Sequence, residues 1–356
     1  MNARLSLLSR AVLFLTLMIT PTLILISSSS DSSAFQKGMA FPTWQSDQYC
    51  SLHSDESLKI LVQNTCTEWI QLVPSLYQKD RYANEIFPEY KGRTARNECI
   101  RHAIQYAHSL GLKVMLKPHV DAQSGDWRGT FQPTNTKIWF ENYRNMIKAY
   151  AELAQQEGVE IFSIGCEFLL LTTSEYTLEW RETIKNVREI YEGPLGYAAN
   201  WGQEYLQIEF WDDLNYIGID SYFVLTDKTD PELSELLAAW WPYLKEIEAF
   251  YEKWKRPIIL TEIGYRSIDG ANIRPWDWET PGTLDLKEQA LCYQAVIKAF
   301  DGKPWLEGIY WWNWEPDPHR GGLNDRGYTP QGKSAESILK RWYCELSGKK
   351  KGQKRR

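Results

Sequence analysis

The stretch RPIILTEIGYRS, residues 256–267, decides how this chain is read. Pro257, Ile258, Ile259 and Leu260 form an apolar run that ends almost at once in a carboxylate, Glu262. Continuous β-branched and aliphatic residues mark a strand buried on both faces, as in a parallel sheet. A Glu at the end of such a strand is paired, solvated in a cleft or used in chemistry, because an isolated buried carboxylate is costly.

Seven further segments read the same way. GMAF (38–41), WIQLVP (69–74), KVMLKP (113–118), EIFSIGCE (160–167), LGYAAN (195–200), YIGIDSY (216–222) and GIYWWNW (308–314) join IILTEIGY (258–265). Amphipathic helices separate them. In IWFENYRNMIKAYAELAQQEG, residues Phe140, Tyr143, Ile147, Tyr150 and Ala154 fall on one helical face, and Gly158 supplies a stop. Trp180, Ile184, Val187 and Tyr191 repeat the pattern, with Ser174 as the expected N-cap. Ile100, Ile104, Ala107 and Leu110 precede Gly111 in a third. Eight alternations of buried strand and helix over roughly 310 residues fit an α/β fold of one domain, a closed (β/α)8 TIM barrel spanning 36–346. An open doubly wound sheet is the competing architecture. It would carry a Gly-rich turn after its first strand, and GMAFPTWQSDQYC has none.

Hydrophobic residues make up 43% and charged residues 24% of the 356, a balance that allows a sizeable core. The net charge of −6 argues against nucleic acid as a partner. Six positive charges sit in KKKGQKRR, so residues 347–356 are expected to form a basic, disordered tail. Seventeen Trp and twenty Tyr read either as a bulky core or as flat platforms for a flat ligand. At the other end, MNARLSLLSR, sixteen apolar residues and SSSSDSSA follow the order of a secretory signal. Residues 1–35 are therefore expected to be a signal peptide or a signal anchor, and the protein to be exported, secreted or periplasmic. Membrane contact then follows only if that segment stays uncleaved. The six Cys permit disulfides without specifying which of 15 connectivities forms. A monomer is expected.

A barrel of this kind builds its active site at the C-terminal ends of its strands. Glu167 and Glu262 terminate the fourth and seventh, facing each other across the mouth. Two opposed carboxylates are what glycoside hydrolysis requires: one gives a proton to the leaving oxygen, the other attacks the anomeric carbon or activates a water. HExxH, GxSxG, GxxxxGK and GxGxxG are all absent from the sequence. Metal-assisted hydrolysis through His119, Asp121 and a Glu is the weaker reading, and neither metal nor cofactor is expected.

WIQLVPSLYQ, LKVMLKPHVD, FSIGCE, YAANW, YIGIDSYF, ILTEIGYRS and WNW with YTPQGKSAE together resemble retaining β-glycosidases whose acid/base and nucleophile Glu stand on strands four and seven. Within that clan the chain is most similar to glycoside hydrolase family 113, the β-mannanases. The resemblance implies Glu167 as acid/base, Glu262 as nucleophile, and a sugar cleft near His119, Asn200, Trp201, Tyr222 and Trp312, with Trp127 on a neighbouring aromatic loop. It also implies a mannan-type polysaccharide or oligosaccharide as substrate, cleaved at β-1,4-mannosidic bonds by double displacement. Two alternatives stay open: a same-clan β-glycosidase for another polysaccharide, and a non-catalytic carbohydrate-binding barrel. The wider clan has Asn before the acid/base Glu, touching the sugar 2-hydroxyl; here Cys166, a weak donor, takes that place. A hydrogen bond from Tyr222 to Glu262 is expected to keep Glu262 ionised.

Overall fold

The structure, a computed structural model, describes residues 35–353. The expected signal or anchor segment lies outside the described residues except for Phe35, whose ring meets Trp342 edge-on at 5.4 Å. Eight strands close a parallel barrel: β1 Gln36–Pro42, β2 Trp69–Val73, β3 Lys113–Leu116, β4 Ile161–Cys166, β5 Leu195–Asn200, β6 Tyr216–Asp220, β7 Ile258–Ile263 and β8 Leu306–Trp311. Closure comes from β1, which pairs with β8 through Gln36 and Gly308 and with β2 through Gly38 and Trp69. The expected (β/α)8 barrel is therefore the fold.

A helix follows each strand: α1 Leu52–Thr65, α2 Asn97–Ser109, α3 Thr136–Glu157, α4 Thr177–Arg188, α5 Glu204–Gln207, α6 Leu233–Trp254, α7 Leu286–Phe300 and α8 Ser334–Gln353. The face read on α3 is buried along its length, and Gly158 ends the helix in the left-handed region at φ 68°. Ser174 does not cap α4. A 3₁₀ turn, Ser174–Tyr176, intervenes, and the helix begins at Thr177 without a side-chain cap. The backbone of α8 continues to Gln353, into the basic segment read as a tail, which suits a run of lysines with good helix propensity. Among the described residues no helix is long and apolar enough to cross a membrane.

Large side chains fill the lower barrel interior: Trp69, Met115, Ile161, Tyr216, Ile259 and Tyr310 form one buried cluster. Glycines make room for the rings. A Cβ on Gly196 would stand 2.1 Å from the Tyr216 ring, and one on Gly38 would stand 2.5 Å from Tyr310. Above this layer β2 and β3 run into Pro74 and Pro118, which lack the N–H a ladder needs. Beyond these prolines the chain re-pairs as a short parallel ribbon, Ser75–Gln78 with His119–Ala122, at the barrel mouth. Disulfides join Cys50 to Cys99 and Cys66 to Cys344, the latter tying the end of α1 to α8.

Replacing Gly196 by Ala drives a methyl into the Tyr216 ring within a filled interior. The expected cost is about 1–3 kcal/mol, read as a melting temperature lower by several degrees with an unchanged far-UV spectrum.

Candidate active site

Strand ends place a network of charged side chains at the mouth, built around a lysine. Lys117 follows β3, is fully buried, and donates to Glu262 Oε1 at 2.5 Å and to both Asp220 oxygens at 3.3 and 3.4 Å. Burial alone would discharge this ammonium, but the carboxylates of Asp220 and Glu262 outweigh it and hold its pKa above the ordinary lysine value. The other Glu262 oxygen accepts from the Tyr222 hydroxyl at 2.8 Å. Burial and the Asp220 charge raise the Glu262 pKa, while Lys117 and Tyr222 pull it back. Both hydrogen bonds serve the ionised carboxylate.

Asp220 also accepts from Thr261 Oγ1 at 2.7 Å and from the Cys166 thiol at 3.2 Å. It is a buried counter-charge, fixed by its donors. Lys117 and Asp220 were open to the same reading that found Glu262, since each is a charge at the end of an apolar strand.

Glu167 sits in different surroundings. It follows β4 in the left-handed region at φ 51°, a conformation unusual for a side chain of this size. Its backbone N–H donates to Ala198 O at 2.9 Å, and the next N–H, of Phe168, donates to Tyr197 Oη at 2.7 Å. The turn is thus fastened to β5. The Glu167 carboxyl is half-buried and accepts from Asn200 Nδ2 at 2.7 Å. Asn200 is held in turn: its Oδ1 accepts from Gly202 N–H at 2.9 Å, which leaves the amide N–H for Glu167. Its own N–H donates to Glu204 Oε2 at 2.7 Å. Burial pushes the Glu204 carboxyl up to about 8 despite the donors on it. Burial likewise raises the Glu167 pKa, with Arg128 opposing and Glu262 adding to the rise.

Cys166 stands between the two carboxylates, its Sγ within 4.8 Å of an oxygen of each. His119, on the ribbon, places Nε2 3.8 Å from Glu262 Oε1. Arg128 reaches in from the β3–α3 loop, donating to His119 Nδ1 at 2.7 Å, Cys166 Sγ at 3.3 Å and Asp121 Oδ1 at 2.5 Å. Trp312 lies beside this group, since its N–H donates to Ile263 O at 2.7 Å, one residue past Glu262.

A family model for glycoside hydrolase family 113 matches residues 39–333. The chain belongs to glycoside hydrolase family 113. This family 113 enzyme is similar to the solved complex of a family 113 β-1,4-mannanase: 28% identity, TM-score 0.78, covering 87% of this chain and 99% of that one. It is also similar to the β-mannanase AaManA from Alicyclobacillus acidocaldarius in complex with ManMIm: 27% identity, TM-score 0.80, covering 88% and 98% of the two chains. A β-glucuronidase from Ruminococcus gnavus shares the fold alone, at 13% identity and TM-score 0.62, with 87% of this chain matched to 50% of that one. No curated protein sequence matches. The protein is therefore a glycoside hydrolase, and its substrate is a carbohydrate.

The tryptophans read from the sequence pack against the strand-end loops of the enzyme. Trp201 stacks on Trp276 with centroids 5.2 Å apart, and Trp312 meets Trp44 edge-on at 6.2 Å. Trp127 folds back on its own turn, where a Cβ on Gly129 would stand 2.3 Å from its ring. That turn delivers Arg128, which loop sequence gave no way to find. Trp276 was equally hidden in a loop. Among the described residues, the exposed Trp and Tyr side chains are Trp44, Tyr82, Tyr90, Trp127, Trp276 and Trp278 on loops after strands, and Trp241 on α6. The aromatic richness is thus both core and surface, and the surface part, Trp241 apart, lies on loops at the strand ends where the carboxylates stand. Among the described residues three sets of side chains bring possible metal-ligand atoms within 4.8 Å of one another: His119 with Cys166 and Glu262, Cys166 with Glu167 and Asp220, and, apart from these, Asp269 with Asp285 and Glu288. A depression of about 150 Å³ lined by Arg266, Asp269, Arg274 and Asp277 opens in the β7–α7 loop and shares Asp269 with the third set only.

Lys117 lowers the Glu262 pKa, so its loss raises that pKa further and moves ionisation to higher pH. The acid limb of kcat/KM in Lys117→Met is expected to shift upward by about one pH unit or more. Tyr222→Phe should shift it the same way by less, and serves if the lysine variant does not fold.

Proposed function

We propose that this glycoside hydrolase cleaves β-1,4-mannosidic bonds in mannan-type polysaccharides or oligosaccharides with retention, Glu262 being the nucleophile and Glu167 the acid/base. The observation that carries the reading is the unequal treatment of the two carboxyls. Glu262 holds an ammonium and a phenol hydroxyl on its two oxygens, an environment that serves a charged nucleophile. Burial raises the pKa of both, but Glu167 has one amide donor and no ammonium on its oxygens, an environment suited to carrying a proton. Paired carboxyls given such unequal hydrogen-bond partners can divide acid and nucleophile roles between them.

In the first step a Glu262 oxygen bonds to the anomeric carbon. The glycosidic C–O bond breaks, its electrons stay on the leaving oxygen, and Glu167 supplies the proton. In the second, Glu167 as carboxylate takes a proton from water while the water oxygen bonds to the same carbon. The ester to Glu262 then breaks and its carboxylate is restored. Two inversions leave the configuration retained. Support for mannose comes from the family and from the two β-mannanases to which the chain is similar. The exposed tryptophans of the strand-end loops suit a chain of several sugars, since an indole face packs against C–H groups.

Glu262→Gln and Glu167→Gln are each expected to lower hydrolysis of mannan or a mannan oligosaccharide by at least about 10³-fold with the fold intact. Proton NMR of the first-formed product should show the β anomer. An α anomer would exclude retention, and preferential turnover of cellulose or xylan would exclude mannan as substrate. Trp276→Ala should lower kcat/KM about tenfold or more on long oligosaccharides and leave a disaccharide or aryl glycoside nearly unaffected. Equal losses on long and short substrates would remove Trp276 from the binding surface.

A further inference from the structure

Arg128 occupies an unusual place in this site. It comes from a loop rather than a strand, yet its guanidinium lies against His119, Cys166 and Asp121 at once. A guanidinium has donors and no acceptor, so the His119 nitrogen it meets, Nδ1, must present a lone pair. Burial, with Arg128 and Lys117 nearby, holds the His119 pKa well below the ordinary value, which keeps the ring neutral. A neutral imidazole carries one proton, and with Nδ1 accepting, that proton is on Nε2.

This Nε2–H is buried with no hydrogen-bond partner, on a side chain only 3% exposed. Glu262 Oε1, at 3.8 Å, is too far to accept it. A buried donor left unmade is destabilising, and the one here stands beside the carboxylate proposed to attack. The same proton removes Nε2 as a metal ligand in this tautomer, so His119, Cys166 and Glu262 do not form a ready metal site. What fits is an uncharged acceptor arriving with the substrate.

We propose that Arg128 is a positioning residue that locks His119 as the Nε2–H tautomer, so that this one donor meets a hydroxyl of the sugar under attack. The inference rests on the glycosidase reading above. Asp121 takes the other arm of the guanidinium and balances its charge, so Arg128 acts through the imidazole. Cys166 accepts from Arg128 and donates to Asp220, and therefore holds the arginine in place.

Long-range proton–nitrogen NMR of the histidine rings tests the tautomer without substrate. The wild-type enzyme should show His119 as Nε2–H, and Arg128→Met should show a tautomer mixture or a ring that protonates near neutral pH. Arg128→Lys, which keeps a donor, should restore the wild-type pattern. On a mannan oligosaccharide, Arg128→Met should lower kcat by about 10- to 100-fold with KM changed less than about threefold. The Arg128→Met, His119→Ala double variant should lose no more than His119→Ala alone. A wild-type Nδ1–H tautomer, which needs no variant to observe, would overturn the proposal, and so would fully additive losses. Lack of turnover by the wild-type enzyme on any glycoside would sink the glycosidase reading and leave the tautomer result standing.

Discussion

A single buried ammonium organises the mouth of this barrel. Lys117 has no exposed surface, and a charge so placed is tolerated only when paired and hydrogen-bonded. Its partners, Asp220 and Glu262, come from the ends of β6 and β7, while Lys117 itself follows β3. The pairing therefore ties three strand ends together across the barrel opening. It also fixes one oxygen of Glu262 and leaves the second to Tyr222. The rest of the site is arranged around a carboxylate whose orientation is decided before any substrate arrives.

Glu167 depends on a different constraint, the backbone turn after β4. Its left-handed conformation is held by hydrogen bonds to β5, and its side chain meets an amide whose direction is set by Gly202. Asn200 thus joins the acid/base candidate to a buried glutamic acid, Glu204, which binds its backbone. A carboxyl with one amide donor, close to one served by an ammonium and a phenol, is the asymmetry on which the proposed double displacement rests. Cys166 lies between them and is engaged on both sides, by Asp220 and Arg128. The absence of an amide at that position is matched by an arginine–histidine pair that no neighbouring sequence announces.

The division between core and surface aromatics follows the same geometry. Trp139, Trp180, Trp211, Trp240, Trp311 and Trp314 are fully buried and pack the helices onto the strands. Apart from Trp241 on α6, the exposed ones among the described residues lie on loops after strands, where flat indole faces would suit a sugar chain. One residue type thus serves two purposes, and position on the barrel separates them.

Much of this was legible in the chain itself. Eight apolar runs and the faces of α2, α3 and α4 are local periodicities, and a period needs only neighbouring residues to be read. The strand read over 195–200 has those bounds in the structure. Both glutamates were visible because each breaks an apolar run, and Lys117 breaks one in the same manner. The Ser174 cap failed because a turn not encoded by helical period intervened. Arg128, the disulfide partners and the stacking of Trp201 on Trp276 could not be read at all, since each joins segments that meet only once the barrel closes. The sequence by itself determined which residues are buried and which charges end strands, because burial is written in local pattern. Only the tertiary structure decided which charges face one another, because that depends on which strand ends closure brings together.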